Sequence, residues 1–292
     1  MEAQLFFSPS GRTYKSQPSK CITQGNFGGT IHKCKAHEGT APLPGFVALK
    51  VVSWDEPGLD EETVLSERNA LDSIAPHAGI VRLLDSWVDG NGHKLYMVFD
   101  WFERGDLHEY SKTHRIDETT LWNLNHQVLG ILEHLHSDGY AHVDVKPENM
   151  LVVDVNPLKV VFTDFGSARR IRDLGNGPIF TTPVYAAPEI HSRTGQIDES
   201  CDYFAWIMSL FYVLVAQYSP KSLGKKECFT SYPEDKTPNW ELVSAPGNEL
   251  RASLLNVTSL SRRHLTVYPS GRLPYRVVYV CTSRQKSMYD YA

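Results

Sequence analysis

Hydrophobic and polar residues alternate over the first third of the chain in the way that predicts short β-strands. The segments "GGTIHKC", "FVALKVV" and "HKLYMVF" are rich in β-branched and apolar residues and lie between glycines and prolines. Between the last two segments, apolar residues at helical spacing over residues 64–74 predict one helix. We therefore expect a small, mainly β lobe over about residues 21–102.

After Gly105 the apolar residues recur at the period of an α-helix, so we expect a larger α-helical lobe over about residues 103–272. A second apolar run, residues 204–216, is shorter than the roughly 18 residues that suggest a membrane span, and it predicts a buried helix. Residues 219–247 are interrupted by Pro and Gly and predict loops around short helices. The clearest helical stripe is formed by Leu121, Leu124, Val128, Ile131, Leu132 and Leu135, and it ends at Asp138 and Gly139.

Composition and charge exclude several classes of protein. The 292 residues are 41% hydrophobic and 22% charged, which is typical of a globular protein and not of a disordered or fibrous one. The net charge of −5 argues against nucleic acid or anionic membranes as partners. The five cysteines contain no C-x-x-C pair, which favours a reducing compartment without a zinc site. We see no secretory signal, so we expect a cytoplasmic or nuclear protein.

A lysine and a glutamate stand where apolar residues are expected. Alternation along "FVALKVV" places Lys50 on one face with Ala48 and Val52. In the following helix, Glu67 lies in the apolar stripe that begins at Val64. An unpaired buried charge costs about 3–5 kcal/mol, which favours a pairing of Lys50 with Glu67. A surface lysine and a glutamate at a helix edge explain these two segments equally well.

A glycine-rich stretch, "ITQGNFGGTI", precedes Lys50 by about twenty residues. Gly25, Gly28 and Gly29 have no side chains to keep backbone N–H groups away from phosphate oxygens. In a G-x-G-x-x-G pattern, Thr23 replaces the first glycine, which is expected to stiffen the loop. The stretch alone also fits an ordinary hairpin turn.

The segment "HVDVKPEN" places Asp144, Lys146 and Asn149 within six positions, and "DFG" begins at Asp164, fifteen residues after Asn149. These segments resemble the catalytic and metal-binding loops of eukaryotic-type protein kinases. The resemblance covers about residues 21–272, because "VALK", "LYMVFDWFERGDL" and "TTPVYAAPE" follow the family's order and spacing. It implies an α+β, two-lobed protein-kinase-like fold with a small β-rich N-lobe and a larger α-helical C-lobe. The alternative for the "HVDVKPEN" loop alone is a polar turn between strands.

The resemblance also implies a role for each matching residue, with ATP and Mg²⁺ as cofactors. Asp144 would be the catalytic base, Lys146 would reach the γ-phosphate, and Asn149 and Asp164 would bind Mg²⁺. Lys50, paired with Glu67, would contact the α- and β-phosphates. The remaining nucleotide-binding positions would be Thr23, Gly25, Gly28, Ala48, the gatekeeper Phe99, and the hinge residues Asp100 and Phe102. The aromatic residues of this group are equally compatible with a place in the core.

Val143 departs from the family pattern. Most protein kinases have an arginine before the catalytic aspartate, which commonly pairs with a phosphate on the activation segment, and valine cannot bind phosphate. We therefore expect activity without activation-loop phosphorylation. The candidate phosphate acceptors are Ser167, Thr181, Thr182 and Tyr185, and Arg169, Arg170 and Arg172 would be able to hold a phosphate.

A few individual residues bear on which hydroxyl accepts the phosphoryl group and on the structural roles of Asp202 and Glu189. Val143 and "DYFAW" are similar to the Wee and Myt kinases, whereas Lys146 and Thr182 followed by proline indicate a serine/threonine kinase. Asp202 matches the family's buried acid that binds the catalytic-loop backbone, or it caps the apolar helix. The resemblance makes Arg272 the partner of Glu189, in competition with Arg262 and Arg263.

We therefore predict a monomeric, ATP-dependent protein kinase that phosphorylates Ser/Thr hydroxyls of protein substrates and has no nucleic-acid or membrane partner. The alternatives are a pseudokinase that binds nucleotide or acts as a scaffold, and a Wee-like kinase with a tyrosine acceptor. The predicted organisation is an N-terminal extension over residues 1–20, a kinase domain over 21–272, and a tail of unknown structure over 273–292.

Overall fold

The structure is a computed structural model that forms two compact units. It describes residues 3–23, 29–37, 45–54, 60–91, 93–187, 189–190, 197–218, 229–231 and 235–238. The first unit contains the described residues up to Gly105 together with Met150–Ala168. The second contains Asp106–Asn149 and the described residues from Arg169 onward.

Twelve strands and four α-helices are described in these residues. The strands are β1 (Leu5–Phe7), β2 (Thr13–Thr23), β3 (Thr30–His37), β4 (Val47–Ser53), β5 (Leu83–Val88), β6 (Lys94–Asp100), β7 (Tyr140–Ala141), β8 (Met150–Val155), β9 (Leu158–Phe162), β10 (Arg169–Arg170), β11 (Phe229–Ser231) and β12 (Asp235–Pro238). The helices are α1 (Glu61–Ser73), α2 (Leu107–Thr113), α3 (Glu118–Ser137) and α4 (Ser200–Tyr218). Short 3₁₀ turns lie at Pro147–Asn149, Phe165–Ser167 and Ile171–Asp173.

An antiparallel six-stranded sheet dominates the first unit, in the order β1-β2-β3-β4-β6-β5. Its strands β3, β4 and β6 confirm the three strands that alternation predicts. The residues expected to form an N-terminal extension contain β1 and the first part of β2, and both belong to this sheet. The core of the sheet is formed by Tyr14, Cys34, Val47, Leu49 and Val98.

Helix α1 confirms the predicted helix. It begins after Asp60, whose carboxylate accepts a hydrogen bond of 2.8 Å from the Thr63 amide. This cap satisfies one of the backbone N–H groups that the first turn leaves without an intrahelical partner. The same unit contains the hairpin of β8 and β9, which is joined to the chain near Gly79 by a 2.8 Å bond from the Phe162 amide.

The second unit is mainly helical, as predicted. Helix α3 buries its stripe from Leu121 to Leu135, and Trp206 of α4 donates a 2.9 Å hydrogen bond to Asn125 of α3. Helix α4 contains the apolar run over residues 204–216. Among the described residues, no helix combines the length and the apolar character that crossing a membrane requires. The small β-rich unit and the larger helical unit confirm the predicted two-lobed α+β fold.

Residues 219–247 differ from the prediction where they are described. Strands β11 and β12 pair antiparallel within this range, so the prediction of loops around short helices is wrong there. Each strand contains only one β-branched residue, Thr230 or Thr237, and the prolines of this range are typical of loops, so the local sequence did not reveal the pairing. The predicted tail over residues 273–292 lies outside the described residues, and so do Arg262, Arg263 and Arg272, the candidate partners of Glu189.

Candidate active site

In the first unit, Lys50 lies between two carboxylates. Its Nζ is 2.6 Å from Oε2 of Glu67 on α1 and 3.0 Å from Oδ1 of Asp164. Lys50 and Glu67 are both buried, which confirms the predicted pairing and makes the surface alternative wrong. Glu67 is 17 positions and Asp164 is 114 positions from Lys50 along the chain, so separate elements supply the three charges.

The charge state of Lys50 follows from these contacts. Burial acts to lower the pKa of Lys50, but the carboxylates of Asp164 and Glu67 raise it well above its ordinary value. Burial raises the pKa of Glu67, and the Lys50 ammonium opposes that shift. Lys50 therefore stays an ammonium, which is the charge that a bound phosphate requires.

Asp164 has a left-handed backbone conformation, with φ of 61° and ψ of 65°. Aspartate adopts this conformation more readily than most residues, since its short side chain can form local hydrogen bonds. Its side chain is 19% exposed, so the carboxylate stays partly accessible although it contacts Lys50. The 3₁₀ turn Phe165–Ser167 follows directly and packs against α1.

Only part of the glycine-rich stretch is described. Thr23 ends β2 opposite Thr30 of β3, whereas Gly25 and Gly28 lie outside the described residues. At Gly29, an added Cβ would lie 3.2 Å from the Val51 carbonyl oxygen. A side chain at Gly29 would therefore fit only if the neighbouring atoms of β4 shifted by a few tenths of an ångström.

The predicted nucleotide-binding residues of β4 and β6 are neighbours in the sheet. Ala48 lies opposite Phe99, and Phe99 is buried, as both a gatekeeper and a core residue would be. Asp100 ends β6 with an oxygen 3.5 Å from Nη2 of Arg82, and Phe102 is half-buried. Their roles toward adenine stay predictions.

Sequence reasoning missed a buried lysine beside these residues. The Nζ of Lys33 on β3 contacts the carboxylate of Glu103 and lies 4.1 Å from the ring centroid of Phe46 and 5.0 Å from that of Trp101. Strand alternation places Lys33 on the same face as the apolar Ile31, and this position could have indicated that Lys33 is buried.

In the second unit, the crowded catalytic-loop residues contact one another. Lys146 Nζ lies 2.5 Å from Oδ2 of Asp144, and the Asn149 amide nitrogen donates to the Asp144 backbone oxygen at 2.9 Å and to Oδ2 at 3.2 Å. Asp144 is almost fully buried. The lysine and the amide therefore hold the carboxylate in one orientation.

Asp202 binds the backbone just before Asp144, as predicted. Its two carboxylate oxygens accept hydrogen bonds of 2.8 Å from the His142 amide and 2.7 Å from the Val143 amide. Sequence reasoning missed His136 of α3, whose Nε2 is 2.9 Å from the same carboxylate. A histidine in the last turn of a helix gives no sign of a partner 66 residues away.

The segment after β10 also binds this loop. The Thr181 hydroxyl donates to the Val143 carbonyl oxygen at 2.9 Å, and the Thr182 amide donates to Oδ1 of Asp144 at 2.7 Å. Lys146 donates to the Thr182 hydroxyl at 2.7 Å. Both oxygens of the Asp144 carboxylate are therefore fixed by groups within the second unit.

Comparison with known proteins identifies the family to which the chain belongs. The family model described as protein kinase domain matches residues 17–267, which is most of the chain. The chain belongs to the protein kinase family. This assignment confirms the family to which the motifs point, and the roles of the residues just described stay predictions.

Three relatives illustrate the similarity of the kinase domain. Ribosomal protein S6 kinase 2 alpha from Xenopus laevis is 29% identical over 245 residues, which cover 78% of this chain and 32% of that protein. CBL-interacting serine/threonine-protein kinase 2 from Arabidopsis thaliana is 29% identical over 219 residues, covering 73% and 45%. CBL-interacting serine/threonine-protein kinase 7 from the same plant is 33% identical over 178 residues, covering 58% and 40%. The chain spans between about a third and a half of the length of these relatives.

The residues of the kinase domain fit the ATP and Mg²⁺ that the family implies. Mg²⁺ prefers oxygen ligands, and proteins usually hold it with one or two carboxylates while water and substrate phosphates complete its shell. Asp164 offers a partly exposed carboxylate. The two hydrogen bonds of the Asn149 side chain both use its nitrogen, which leaves the amide oxygen for a metal.

Proposed function

We propose that this kinase domain transfers the γ-phosphoryl group of ATP to serine and threonine hydroxyls of protein substrates. The observation that supports the proposal most strongly is the orientation of Asp144. Its carboxylate is buried and held by Lys146, by Asn149 and by the Thr182 amide. A fixed carboxylate that is close to a cation suits a base that must align a hydroxyl without moving.

The proposed roles divide the work among six side chains. Asp144 orients the acceptor hydroxyl and accepts its proton, while Lys146 neutralises charge on the transferred group. Lys50, held by Glu67, binds the α- and β-phosphates. Asn149 and Asp164 hold Mg²⁺, which when bound offsets negative charge on the phosphate oxygens. Because phosphoryl transfer needs positioning more than covalent chemistry, these fixed charges are the main catalytic groups required.

Two observations support serine or threonine as the acceptor. The names of similar proteins include serine/threonine-protein kinases. Lys146 also joins Asp144 to the Thr182 hydroxyl, so the residue that indicates this class takes part in the network around the base. A Wee-like kinase with tyrosine as acceptor is the competing outcome of the test below.

We further propose that turnover does not require phosphorylation of the activation segment. Val143 is buried in an apolar cluster with Ala141 and Leu174, and the side chains of Ile171, Ile179 and Ile197 pack against it. In this cluster, apolar contacts join the catalytic loop to the segment that follows it. These contacts hold the activation segment against the catalytic loop, as the pairing of a phosphate with an arginine does in most members of the family.

The test of the transfer reaction is incorporation of labelled phosphate from ATP and Mg²⁺ into peptides that contain serine, threonine or tyrosine as the acceptor. We expect labelling of serine and threonine, and a loss of about 10²–10⁴-fold in Asp144→Asn. Asp173→Asn is the matched control, because Asp173 is half-exposed and its carboxylate contacts the exposed Arg172. Labelling of tyrosine alone would favour the Wee-like alternative, and equal labelling by wild type and Asp144→Asn would favour a pseudokinase.

The test of phosphorylation independence uses the same assay after phosphatase treatment, with mass spectrometry to confirm that Ser167, Thr181, Thr182 and Tyr185 are unmodified. We expect the treated protein to retain most of its turnover. Loss of most of the turnover would contradict the proposal and would point to Arg169, Arg170 and Arg172 as phosphate ligands.

We also propose that the domain acts on its substrates as a monomer in the cytoplasm or nucleus, without nucleic-acid or membrane partners. The net charge of −5 supports this, because a surface for polyanions is usually basic. Light scattering on the purified protein would test the monomeric state, and a mass twice that of the chain would contradict it.

A further inference from the structure

Ser66 of α1 directly precedes Glu67, yet the proposed chemistry does not use this serine. Its side chain is half-buried. The hydroxyl oxygen is 2.7 Å from the Thr63 carbonyl oxygen in the preceding turn and 3.1 Å from the Gly166 carbonyl oxygen. Gly166 belongs to the 3₁₀ turn Phe165–Ser167, which directly follows Asp164. Ser66 therefore joins α1 to the segment that carries a proposed metal ligand.

Three consecutive residues of this segment are held by three different side chains. Lys50 binds the carboxylate of Asp164 at 3.0 Å. Glu67 accepts a hydrogen bond from the backbone of Phe165. The Ser66 hydroxyl contacts the carbonyl oxygen of Gly166. Since Lys50 also binds Glu67, movement of any one of these groups affects the others.

The bond to Gly166 has a local competitor. A serine hydroxyl has one proton, and serines in helices often donate it to a carbonyl oxygen of the preceding turn. Ser73 of the same helix shows this local bond by itself, since its hydroxyl donates to the Asn69 carbonyl oxygen at 2.8 Å and its side chain is exposed. Ser73→Ala is therefore a matched control for Ser66→Ala, because it removes a local helix hydrogen bond without removing a bond to Gly166.

We propose that Ser66 is a positioning residue that holds the Gly166 carbonyl and thereby keeps Asp164 in its left-handed conformation beside Lys50. The bond fixes the peptide between Gly166 and Ser167, and together with the hydrogen bond from the Phe165 backbone to Glu67 it restricts the backbone rotation that would turn the Asp164 carboxylate away. The structural part of this proposal stands on the contacts above. Its catalytic consequence rests on the proposed kinase function.

Hydrogen exchange of the ligand-free protein tests the structural part. Loss of one hydrogen bond of ordinary net strength predicts that backbone amides of residues 165–168 exchange about fivefold faster in Ser66→Ala. Ser66→Thr keeps the hydroxyl and is expected to exchange like the wild type. Ser73→Ala is expected to leave residues 165–168 unchanged. Melting temperatures of all variants establish that each is folded.

Kinetics test the catalytic part. In Ser66→Ala, the Mg²⁺ concentration that gives half the maximal rate is expected to rise about fivefold, because Asp164 is less well held. The KM for the peptide substrate is expected to stay unchanged, which separates this effect from a general loss of structure. Ser66→Thr is expected to restore the wild-type Mg²⁺ requirement.

The outcomes are distinguishable. If Ser66→Ala behaves like Ser73→Ala in both measurements, or if Ser66→Thr fails to restore the wild-type behaviour, the positioning role is wrong. If the wild type shows no turnover above Asp144→Asn, the proposed kinase function fails, and the exchange measurement alone decides the role of Ser66.

Discussion

Lys50 shows how a single buried charge constrains its surroundings. A lysine on the buried face of β4 would be costly alone, and the structure places the carboxylates of Glu67 and Asp164 beside it. The cost of removing one member of this group therefore depends on which charges remain. Comparison of single and double substitutions separates the function of Lys50 from its effect on stability.

We predict that Lys50→Met lowers the free energy of unfolding by about 3–5 kcal/mol, because the buried Glu67 carboxylate loses its partner. The double variant Lys50→Met with Glu67→Leu is expected to recover much of this loss, while both variants lose kinase activity. Urea denaturation provides the measurement.

The control for this prediction is Lys35→Met, since Lys35 lies exposed on the neighbouring strand β3 and is expected to change stability by less than about 0.5 kcal/mol. A double variant no more stable than Lys50→Met would show that the two charges do not depend on each other.

At the scale of elements, the orientation of α1 matters because this helix presents both Ser66 and Glu67. The Asp60 carboxylate caps its first turn, and hydrogen bonds from Thr63 lower the pKa of Asp60 below its ordinary value. A group with a lowered pKa in the folded state stabilises the protein above its ordinary pKa, and this contribution is lost as the pH falls through the folded value.

We predict that Asp60→Ala lowers the melting temperature at pH 7, and that the difference from wild type shrinks as the pH falls below the ordinary value of 3.8. Asp60→Asn keeps a side-chain oxygen that accepts the Thr63 hydrogen bond but has no carboxyl group to titrate. The difference in melting temperature between Asp60→Asn and Asp60→Ala is therefore expected not to depend on pH in this range. Thermal unfolding followed by circular dichroism measures these differences.

Asp72→Asn, at the opposite end of α1, is the matched control, because an acid near a helix C-terminus opposes the helix dipole and its removal is not expected to destabilise. A difference between Asp60→Ala and wild type that stays constant down to pH 2 would exclude the carboxylate as the source of the capping effect.

The apolar cluster around Val143 links two elements of the second unit. Val143 has a φ of 69°, a left-handed conformation that is strained for a β-branched residue. The Asp202 carboxylate holds its amide and the Thr181 hydroxyl holds its carbonyl oxygen, which explains how this conformation is maintained. The valine side chain then lies among Ala141 and Leu174.

We predict that Val143→Arg, which introduces the residue most common in the family, destabilises this protein by about 3–5 kcal/mol because a charge enters an apolar cluster without a partner. Its turnover is expected to fall as well. Val153→Arg on β8 is the control, since Val153 is 38% exposed. Wild-type stability and activity in Val143→Arg would show that the apolar cluster does not hold the activation segment against the catalytic loop.

At the scale of the whole molecule, the proposed reaction draws on residues of both compact units. We predict that ATP with Mg²⁺ raises the melting temperature, with a stabilisation of about 2.7 kcal/mol when the ligand is at 100 times its dissociation constant. Asp164→Asn and chelation by EDTA are expected to remove the part that depends on the metal. Asp144→Asn is expected to retain the shift, because Asp144 acts on the acceptor.

Differential scanning fluorimetry measures this stabilisation, with ATP alone and Mg²⁺ alone as controls. The absence of any shift with ATP and Mg²⁺ together would contradict nucleotide binding, and with it both the active kinase and the nucleotide-binding pseudokinase.

Much of the fold could be predicted because its signals are local. Strands β3, β4 and β6 and helices α1 and α3 have clear periodicity, and α3 buries the whole stripe that its periodicity selects. The hairpin of β11 and β12 could not be predicted, because pairing between short strands depends on hydrogen bonds that neither strand encodes alone. The same holds for Lys33 and His136, whose partners lie 70 and 66 residues away.

The sequence by itself determined the family, the type of each lobe and the residues proposed to bear the chemistry, since periodicity and short motifs are properties of neighbouring residues. Only the tertiary structure decided which charges meet: Asp164 with Lys50, Asp202 with the amides of His142 and Val143, and Ser66 with Gly166. These partners are 59–114 residues apart, so no local pattern links them, and chain packing alone brings their atoms within hydrogen-bond distance.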